Sequence, residues 1–295
     1  MKESLPADIS VIIVSWNVRE QLARCLSSLD RQQGVRAEVF VVDNASVDQS
    51  AEMVRSRFRS VRVIANTVNR GFATACNQAL RVASGGVLLL LNPDTELSDH
   101  LTLRSTVGYL SRHKDVGILG VKIVNDNGTV QRSVQAFPGL ASQALVLLKL
   151  HVLFPSLGPL RAYNAREFDY EHDADVDQVK GAFFAMPRRT LQNIGMFDER
   201  FFVWFEEVDY CKRARDAGLL VRFTPSIVVK HTGGASFRQL SSFEQQKIFN
   251  RSLLLYFKKH AGWAERLLLR VLTVPSMFLA LLEPFFKPQH HGVHR

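Results

Sequence analysis

The chain has 295 residues, 46% of them hydrophobic, and a formal net charge of +9; this is an ordinary globular composition and excludes an intrinsically disordered protein. Three scattered cysteines do not form a disulfide framework and favour a reducing compartment, and the polar first eight residues do not resemble a signal peptide. The positive charge favours anionic partners, but no zinc finger, base-reading helix or interleaving of aromatic and basic residues indicates nucleic-acid binding.

The first ninety residues alternate short apolar runs with amphipathic stretches. Four apolar runs predict β-strands: Ile9–Val14, Glu38–Val42, Val61–Ala65 and Val87–Leu91. The first and last lack polar alternation, as expected for strands that are buried on both faces. Val18–Leu29 and Gly71–Val82 place apolar residues on one face and are predicted helices. This alternation predicts an α/β fold with a mostly parallel central sheet and right-handed crossovers.

The second half of the chain is less regular. Asp126-Asn127-Gly128 is typical of a hairpin turn, and Leu140–Leu160, which contains two prolines, is expected to form a surface helix and a loop. The elements predicted after it are a strand at Val179–Ala185, a short helix from Pro187, a helix at Phe201–Gly218 closed by its glycine, and two short strands at Leu219–Phe223 and Ile227–Lys230.

From about Phe237 onward the pattern is helical, with apolar runs at Leu253–Phe257 and Leu267–Leu282 and basic residues between them. The longest uncharged piece is shorter than the roughly 20 residues needed to cross a bilayer. An amphipathic helix on an anionic leaflet fits this composition, and a helix packed on the protein core or in a dimer contact fits it about as well. We therefore expect two domains, an α/β domain at 1–236 and a C-terminal helical extension at 237–295.

Polar residues lie beside the ends of three predicted strands or helices, at points where ligands bind in open α/β sheets. Asp94, in Asn92-Pro93-Asp94, follows a buried strand, and oxygen ligands there suit Mg²⁺ or Mn²⁺ bridging a diphosphate, although this tripeptide is also common in turns. Asp43-Asn44 could contact a ribose or base, or cap the next helix. Asn69-Arg70 precedes a helix and could receive phosphate oxygens, although a plain helix cap is the more frequent arrangement.

Three carboxylates lie close together at Glu206, Glu207 and Asp209, directly after the aromatic-rich residues 201–205. Helix carboxylates are usually surface residues, but the aromatic run should bring this helix start against an apolar surface. Partial burial beside a like charge raises a carboxylate's proton affinity, as a general base at neutral pH requires. His231 follows a predicted strand, where a histidine on its own is more often structural than a metal ligand.

Seven short motifs occur along the chain in the order found in one known family. They are Val14–Asn17, Val41–Asp48, Asn69–Ala73, Leu91–Thr95, Gly195–Phe202, Phe205–Asp209 and His231–Ser236. On these motifs the chain resembles family 2 inverting glycosyltransferases over roughly residues 8–260, particularly the bacterial rhamnosyltransferase-like branch that builds cell-surface polysaccharides. The resemblance implies that the α/β domain has the GT-A nucleotide-diphospho-sugar transferase fold.

The resemblance also implies roles for the matching residues. Asp94 stands where the family's metal-binding Asp-x-Asp ends, with Asn92 in place of the first acid, and His231 matches a second metal or diphosphate ligand. Glu207 stands at the second position of the acidic pair that supplies the catalytic base, with Glu206 as the alternative. The residues expected to bind the nucleotide-sugar are Ser15, Asn17, Asp43, Asn44, Asn69, Arg70, Asn92 and Asp94. Trp204 and Asp209 are expected to contact the acceptor.

The expected donor is a deoxythymidine-diphosphate sugar such as dTDP-rhamnose, with a uridine-diphosphate sugar as the nearest alternative. The expected acceptor is a lipid-linked or growing surface glycan, which implies a cytoplasmic protein at the inner face of the plasma membrane. A catalytically inactive nucleotide- or glycan-binding relative is the main alternative, although every acid a catalyst needs is present. A nucleotidyltransferase would need a glycine-rich phosphate loop after the first strand, and Ser15–Val18 is not one.

Overall fold

The structure is a computed structural model that describes residues 7–233 and 239–286, with side chains described up to residue 282. The described chain divides into two compact units. The first unit comprises residues 7–137 and 167–233, and the second comprises residues 138–166 and 239–286. The expected boundary at 236/237 falls among residues that are not described, so it stays a prediction. The sequence did not anticipate that 138–166 would group with the C-terminal helices.

The first unit contains all the described strands and six helices. The strands are β1 (Ile9–Ser15), β2 (Ala37–Asp43), β3 (Arg62–Ala65), β4 (Val87–Leu91), β5 (Thr95–Glu96), β6 (Val116–Val124), β7 (Val130–Gln131), β8 (Val134–Gln135), β9 (Ala174–Asp175), β10 (Gln178–Val179), β11 (Phe183–Pro187) and β12 (Leu220–His231). Its helices are α1 (Arg19–Asp30), α2 (Ser50–Arg57), α3 (Phe72–Leu80), α4 (Thr102–Arg112), α8 (Arg188–Ile194) and α9 (Glu206–Asp216). The intervening helices α5 (Leu140–Leu147), α6 (Leu150–Leu153) and α7 (Gly158–Tyr163) belong to the second unit.

The main sheet is mixed but mostly parallel along its core. Its strand order is β3-β2-β1-β4-β11-β6-β12-β5. The first four strands are parallel to one another, β11 is antiparallel to both β4 and β6, and β12 is again parallel to β6. The carboxyl ends of β1, β2, β4, β6 and β12 therefore lie along one edge of the sheet. Ligands in open α/β sheets bind at such an edge.

Burial of the central strands explains their unbroken apolar sequences. All five side chains of Val87–Leu91 and of Phe183–Pro187 are buried, because helices cover both faces of the sheet. Each large aliphatic or aromatic side chain removed from water in this way contributes about 1.5–3 kcal/mol. The apolar face predicted for the first helix is also buried, with Leu22, Cys25, Leu26 and Leu29 inside.

Four elements of the second half differ from their prediction. The strand expected at 179–185 is two strands, β10 and β11, separated by three residues that lie at the ligand-binding edge. The two strands expected at 219–230 are one long strand, β12, with an irregular register between Thr224 and Val228. The helix expected from Phe201 begins only at Glu206, because Trp204 and Phe205 have left-handed backbones. Pro187 ends β11 and precedes α8 instead of opening it. The predicted hairpin at 126–128 is confirmed by the pairing of β6 with β7.

The second unit is helical. Its helices are α5 (Leu140–Leu147), α6 (Leu150–Leu153), α7 (Gly158–Tyr163), α10 (Ser242–His260) and α11 (Trp263–Phe286). Helix α10 begins with a capping box in which Ser241 and Glu244 bond to each other's backbone amides, and it packs on α11, where Asn250 donates to Ser276 at 2.9 Å. Within the described residues, no helix is long and apolar enough to cross a membrane.

Candidate active site

Two unpartnered oxygens lie at one end of the ligand-binding edge. The last residues of β1 and β2, Ser15 and Asp43, are direct neighbours in the parallel ladder, and both are buried. Asp43 Oδ2 accepts from the backbone amide of Ser46 at 3.1 Å, whereas Asp43 Oδ1 and Ser15 Oγ have no hydrogen-bond partner in the described structure. Since buried polar atoms are almost always hydrogen-bonded, these two oxygens are suited to contact a bound polar ligand.

The side chain of Asn44 is hydrogen-bonded to other residues of the protein. Its side-chain amide donates to Asn69 Oδ1 at 2.8 Å and to the carbonyl of Gly71 at 3.2 Å. Its side-chain oxygen accepts from Asn66 Nδ2 at 3.1 Å and from the backbone amide of Arg70 at 3.0 Å. Asn44, which we expected to touch the nucleotide, therefore fixes the loop that carries Asn69 and Arg70.

Asn17 also makes contacts within the protein. The side-chain oxygen of Asn17 accepts from the backbone amide of Val47 at 2.8 Å. The backbone amide of Asn17 donates to Ser46 Oγ at 3.0 Å. These bonds join the loop after β1 to the loop after β2. The structure thus brings the predicted residues of this corner together, with Asn17 and Asn44 organising the loops and Ser15 and Asp43 presenting unpartnered oxygens.

Asp94 and His231 form the centre of the edge. Asp94 Oδ1 lies 3.2 Å from His231 Nε2, and both side chains are more than nine-tenths buried. The backbone sets this approach, because β5 pairs with the end of β12 so that Thr95 faces His231, and Thr232 N donates to Asp94 O at 3.1 Å. Burial raises the pKa of the Asp94 carboxyl, but the hydrogen bond and charge of His231 outweigh burial, so this pKa lies below its usual value.

The contacts of Gln131 fix the orientation of the His231 ring. His231 Nδ1 lies 2.7 Å from Gln131 Oε1, which also accepts from Lys180 Nζ at 2.7 Å. The amide end of Gln131 donates to Asn125 Oδ1 at 2.9 Å, so its oxygen must face the histidine. Nδ1 therefore carries a proton, and Nε2 points at Asp94 and at Asn92, whose Nδ2 lies 3.4 Å away. Gln131 and Lys180 were not predicted as site residues, because neither belongs to a recognisable motif.

The acidic pair opens helix α9. Trp204 and Phe205 have φ angles of 65° and 67°, an uncommon conformation for non-glycine residues that turns the chain sharply into the helix. Glu206 is buried and Glu207 partly exposed, and each has a carboxylate oxygen without a partner in the described structure. Burial raises the pKa of both carboxyls, most strongly for Glu206, where repulsion from Glu207 adds to burial, while Lys180 partly offsets the effect at Glu207.

The segment before this helix is tied to helix α3 at two places. Asn77 donates to the carbonyl of Phe197 at 2.9 Å and accepts from the Phe197 amide at 3.1 Å. Phe72 N donates to the carbonyl of Phe202 at 2.6 Å. Gly71, with a φ of 81°, packs so closely on Phe202 that any side chain at position 71 would overlap that carbonyl. The loop carrying Arg70 is therefore in direct contact with the segment leading to Glu206.

Asp209 does not lie where we expected it. Its side chain is fully buried and pairs with Arg213 at 2.9 Å, and Arg213 also donates to the carbonyls of Ile194 and Met196. Asp209 thus anchors helix α9 to the loop before it. The expectation that Asp209 contacts an acceptor is wrong for this geometry, because the carboxylate has no access to the surface. Trp204 is partly exposed.

Comparisons with known proteins agree with this architecture. The profile of "Glycosyl transferase family 2" matches residues 10–174. An N-acetylglucosaminyl-diphospho-decaprenol L-rhamnosyltransferase of Mycobacterium tuberculosis is 24% identical over 266 residues, covering 86% of each chain. The low-salt glycan biosynthesis hexosyltransferase Agl10 of Haloferax volcanii is 25% identical and covers 73% of this chain and 64% of its own.

Solved structures share the fold. The mannosyltransferase PcManGT of Pyrobaculum calidifontis, solved with GDP-Man and Mn²⁺, superposes with a TM-score of 0.55 at 17% identity, covering 97% of this chain and 77% of its own. S. aureus TarS 1–349, solved with UDP, gives 0.54 at 17% identity, covering 97% and 74%. The chain therefore belongs to glycosyl transferase family 2, and it is a glycosyltransferase with the GT-A fold.

Proposed function

We propose that the protein transfers a sugar, with inversion at the anomeric carbon, from a nucleoside-diphosphate donor to a hydroxyl group of a glycan or lipid-linked acceptor. One observation carries this proposal. Four of the buried side-chain oxygens without a partner in the described structure, those of Ser15, Asp43, Glu206 and Glu207, belong to predicted site residues. A donor nucleoside beside the first two and an acceptor hydroxyl beside the acidic pair would supply the missing hydrogen bonds.

The donor set at Asp94 and His231 fits a divalent cation. A carboxylate oxygen and an imidazole nitrogen are ligands for Mn²⁺ and, through the carboxylate, for Mg²⁺. Their 3.2 Å separation is close to the roughly 3 Å between neighbouring ligands of a six-coordinate cation. Gln131 holds the other ring nitrogen, as is usual for metal-bound histidines. Within residues 7–233 and 239–286 no cluster of three His, Cys, Asp or Glu side chains forms, so donor phosphates and water would complete the shell.

The cation, when bound, would neutralise charge on the departing nucleoside diphosphate. Asp94 and His231 would hold it, and Arg70, at the start of α3, would meet phosphate oxygens. PcManGT, solved with GDP-Man and Mn²⁺, supports metal use in this fold.

Glu207 is the better candidate for the catalytic base. It is more exposed than Glu206, and the absence of a side chain at Gly181 leaves open space beside it, since an added Cβ would meet only Glu207 atoms at 3.9–4.0 Å. Glu207 would take the proton from the acceptor hydroxyl as its oxygen attacks the anomeric carbon. The more deeply buried Glu206 would remain a neutral acid because burial and Glu207 both raise its pKa.

The sugar and the acceptor are inferred from relatives. The Mycobacterium tuberculosis relative is a rhamnosyltransferase named for a diphospho-decaprenol acceptor, which supports a rhamnosyl group and a lipid-linked acceptor. We propose a dTDP-linked donor first and a UDP-linked donor second, used in cell-surface polysaccharide synthesis. The protein would act in the cytoplasm, at the inner face of the plasma membrane.

The surface of α11 supports a peripheral membrane location. Six apolar side chains recur along one exposed face of this helix at intervals of three or four residues: Trp263, Leu267, Val271, Val274, Phe278 and Leu281. Arg266 and Arg270 are exposed in its first half, which favours an anionic leaflet. Because α10 packs on α11, point variants are better tests than truncation. Val274→Glu should reduce flotation with anionic liposomes, whereas Val82→Glu, at an exposed valine of the first unit, should not; equal flotation would exclude this face.

Calorimetric titration with UDP, dTDP and GDP, each with and without Mn²⁺, tests the donor class. Metal-dependent binding of one nucleotide, followed by transfer of its sugar to a polyprenol-diphosphate-linked glycan, is the expected result. Failure of the folded protein to bind any of the three would contradict the proposal and favour an inactive relative.

A further inference from the structure

Lys180 lies at the ligand-binding edge of the sheet without belonging to any motif. It follows β10, and its backbone amide donates to the carbonyl of Ser133 at 2.8 Å. Two residues later, the carbonyl of Ala182 accepts from the amide of Asn92 at 3.1 Å and from Thr95 Oγ1 at 3.2 Å. These bonds hold the segment 180–182 against the loop that carries Asp94.

A single side-chain oxygen holds both Lys180 and His231. Gln131 Oε1 accepts from Lys180 Nζ and from His231 Nδ1, each at 2.7 Å. The ammonium group therefore lies near the Nδ1 side of the His231 ring, whose Nε2 faces Asp94. An ammonium has three N–H donors, and Gln131 is its one hydrogen-bond partner among the described residues.

The charge of Lys180 acts on two carboxylates without forming an ion pair with either. Asp94 and Glu207 both favour its protonated form, while burial lowers its pKa. Within residues 7–233 and 239–286, no carboxylate reaches ion-pair distance of Nζ. The ammonium group therefore interacts electrostatically with both the proposed metal-binding pair and the proposed base.

We propose that Lys180 binds the β-phosphate of the donor and stabilises the leaving nucleoside diphosphate, with Gln131 as the residue that positions it. This inference rests on the proposed function. In the reaction, a bond forms between the acceptor oxygen and the anomeric carbon, and the bond from that carbon to the phosphate oxygen breaks. The electron pair stays on the phosphate oxygen, and the acceptor proton goes to Glu207. Lys180 keeps its own protons and balances part of the new charge.

The competing explanation is a purely structural lysine that compensates the nearby acids. The two roles differ in one measurable respect. A β-phosphate ligand affects binding of a nucleoside diphosphate but not of the corresponding monophosphate, whereas a structural lysine affects both equally or neither.

The test is calorimetric titration of UDP, dTDP and GDP and of the corresponding monophosphates, with Mn²⁺ and with a chelator. The variants are Lys180→Met, Lys180→Gln and Lys180→Arg, with Lys122→Met as the matched control. Lys122 is also partly buried on the sheet and donates one hydrogen bond, to Glu171 at 2.6 Å. Its loss changes the net charge by the same amount away from the site. Thermal unfolding shows which variants are folded.

For the nucleoside diphosphate that the wild type binds, Lys180→Met and Lys180→Gln should each lose about 10–100-fold in affinity, the size of a charge-assisted hydrogen bond. Their monophosphate affinity should match that of Lys122→Met, and Lys180→Arg should retain most diphosphate affinity. Equal losses for both nucleotides, or unchanged diphosphate affinity with reduced turnover, would overturn the assignment. A wild type that binds no nucleotide would instead contradict the proposed function.

Discussion

The two halves of the active-site edge are built from different kinds of structure. At the proposed nucleoside end, regular parallel strands end in short loops whose polar side chains bond to one another, with Asn44 joining four other loop residues. At the catalytic end, Glu206 and Glu207 follow two left-handed residues and keep carboxylate oxygens without partners in the described structure. The loop asparagines of the first half are hydrogen-bonded within the protein, although Ser15 Oγ and Asp43 Oδ1 are not, whereas the second half keeps two adjacent carboxyl groups whose pKa values are raised by burial. Substitutions in the first should therefore affect stability, and substitutions in the second should affect chemistry.

The largest effect is expected at Glu207. Glu207→Gln removes the proposed base while keeping size and hydrogen-bonding capacity, and turnover should fall by about 10²–10⁴-fold. Nucleoside-diphosphate affinity should change little, because the proposed nucleotide contacts are made by other residues. Steady-state transfer rates and calorimetry on the same preparation measure both quantities. Near-wild-type turnover would exclude Glu207 as the base.

Asp94→Asn should give the next largest effect. It removes the charged ligand of the proposed cation but preserves the shape of the buried pair with His231. We expect Mn²⁺-dependent nucleotide affinity to fall about 10–100-fold, with little change in the presence of a chelator. The control is Asp30→Asn, at an exposed position at the end of α1. An unchanged metal dependence would contradict the role of Asp94.

Gly71→Ala tests the contact between the loop that carries Arg70 and the backbone of Phe202. At φ 81° and ψ 169°, position 71 adopts a conformation essentially restricted to glycine, and a Cβ would overlap the backbone of Phe202. The free energy of unfolding should decrease by roughly 3 kcal/mol or more. Gly128→Ala is the matched control, since Gly128 has a φ of 80° but no atom within 4 Å of an added Cβ, and should cost about 1 kcal/mol. Equal losses in chemical denaturation would show that the contact with Phe202 contributes nothing.

The smallest effect on chemistry is expected for Glu206→Gln. Burial and repulsion from Glu207 raise the pKa of Glu206 well above its usual value, so glutamine resembles its neutral form and turnover should stay within about tenfold. An acid with a raised folded-state pKa binds its proton more tightly when folded, so its contribution to stability is complete below the unfolded pKa of about 4.3 and is lost as pH rises.

The melting temperature of the wild type should therefore fall between pH 5 and 7, and Glu206→Gln should flatten that decline by about 2–4 °C. A loss of turnover as large as that of Glu207→Gln would show that the two glutamates share the role of base.

The contrast between regular strands and irregular segments also explains which features could be predicted from the sequence. Strands β1 to β4 and the residues at their ends were predicted because uninterrupted aliphatic runs and strand-end acids are local signals. Asp94, His231, Glu206 and Glu207 were singled out by their positions and given roles by the family resemblance, and the structure brings Asp94 and His231 together. The late start of α9 was missed because tertiary contacts at Gly71 and Asn77 hold the preceding segment out of the helix.

Lys180 and Gln131 were missed for a related reason. They are 49 residues apart in the sequence, and their contact forms only when the fold brings β7 and the residue after β10 to the same edge. Asp209 was misassigned because its partner, Arg213, lies one helical turn further on, and a sequence does not reveal which helix face is buried when acids occupy it.

The short pairing between β5 and β12 has a consequence for re-engineering donor choice. Thr95 faces His231 and Glu96 faces Lys230 in that ladder, so main-chain hydrogen bonds set the spacing between the backbones of Asp94 and His231. Substitutions at Ser15 or Trp204, which are proposed to contact the donor and the acceptor, should therefore leave the spacing of that pair unchanged. An insertion or proline within 95–96 would disturb it even if every polar residue of the site were retained.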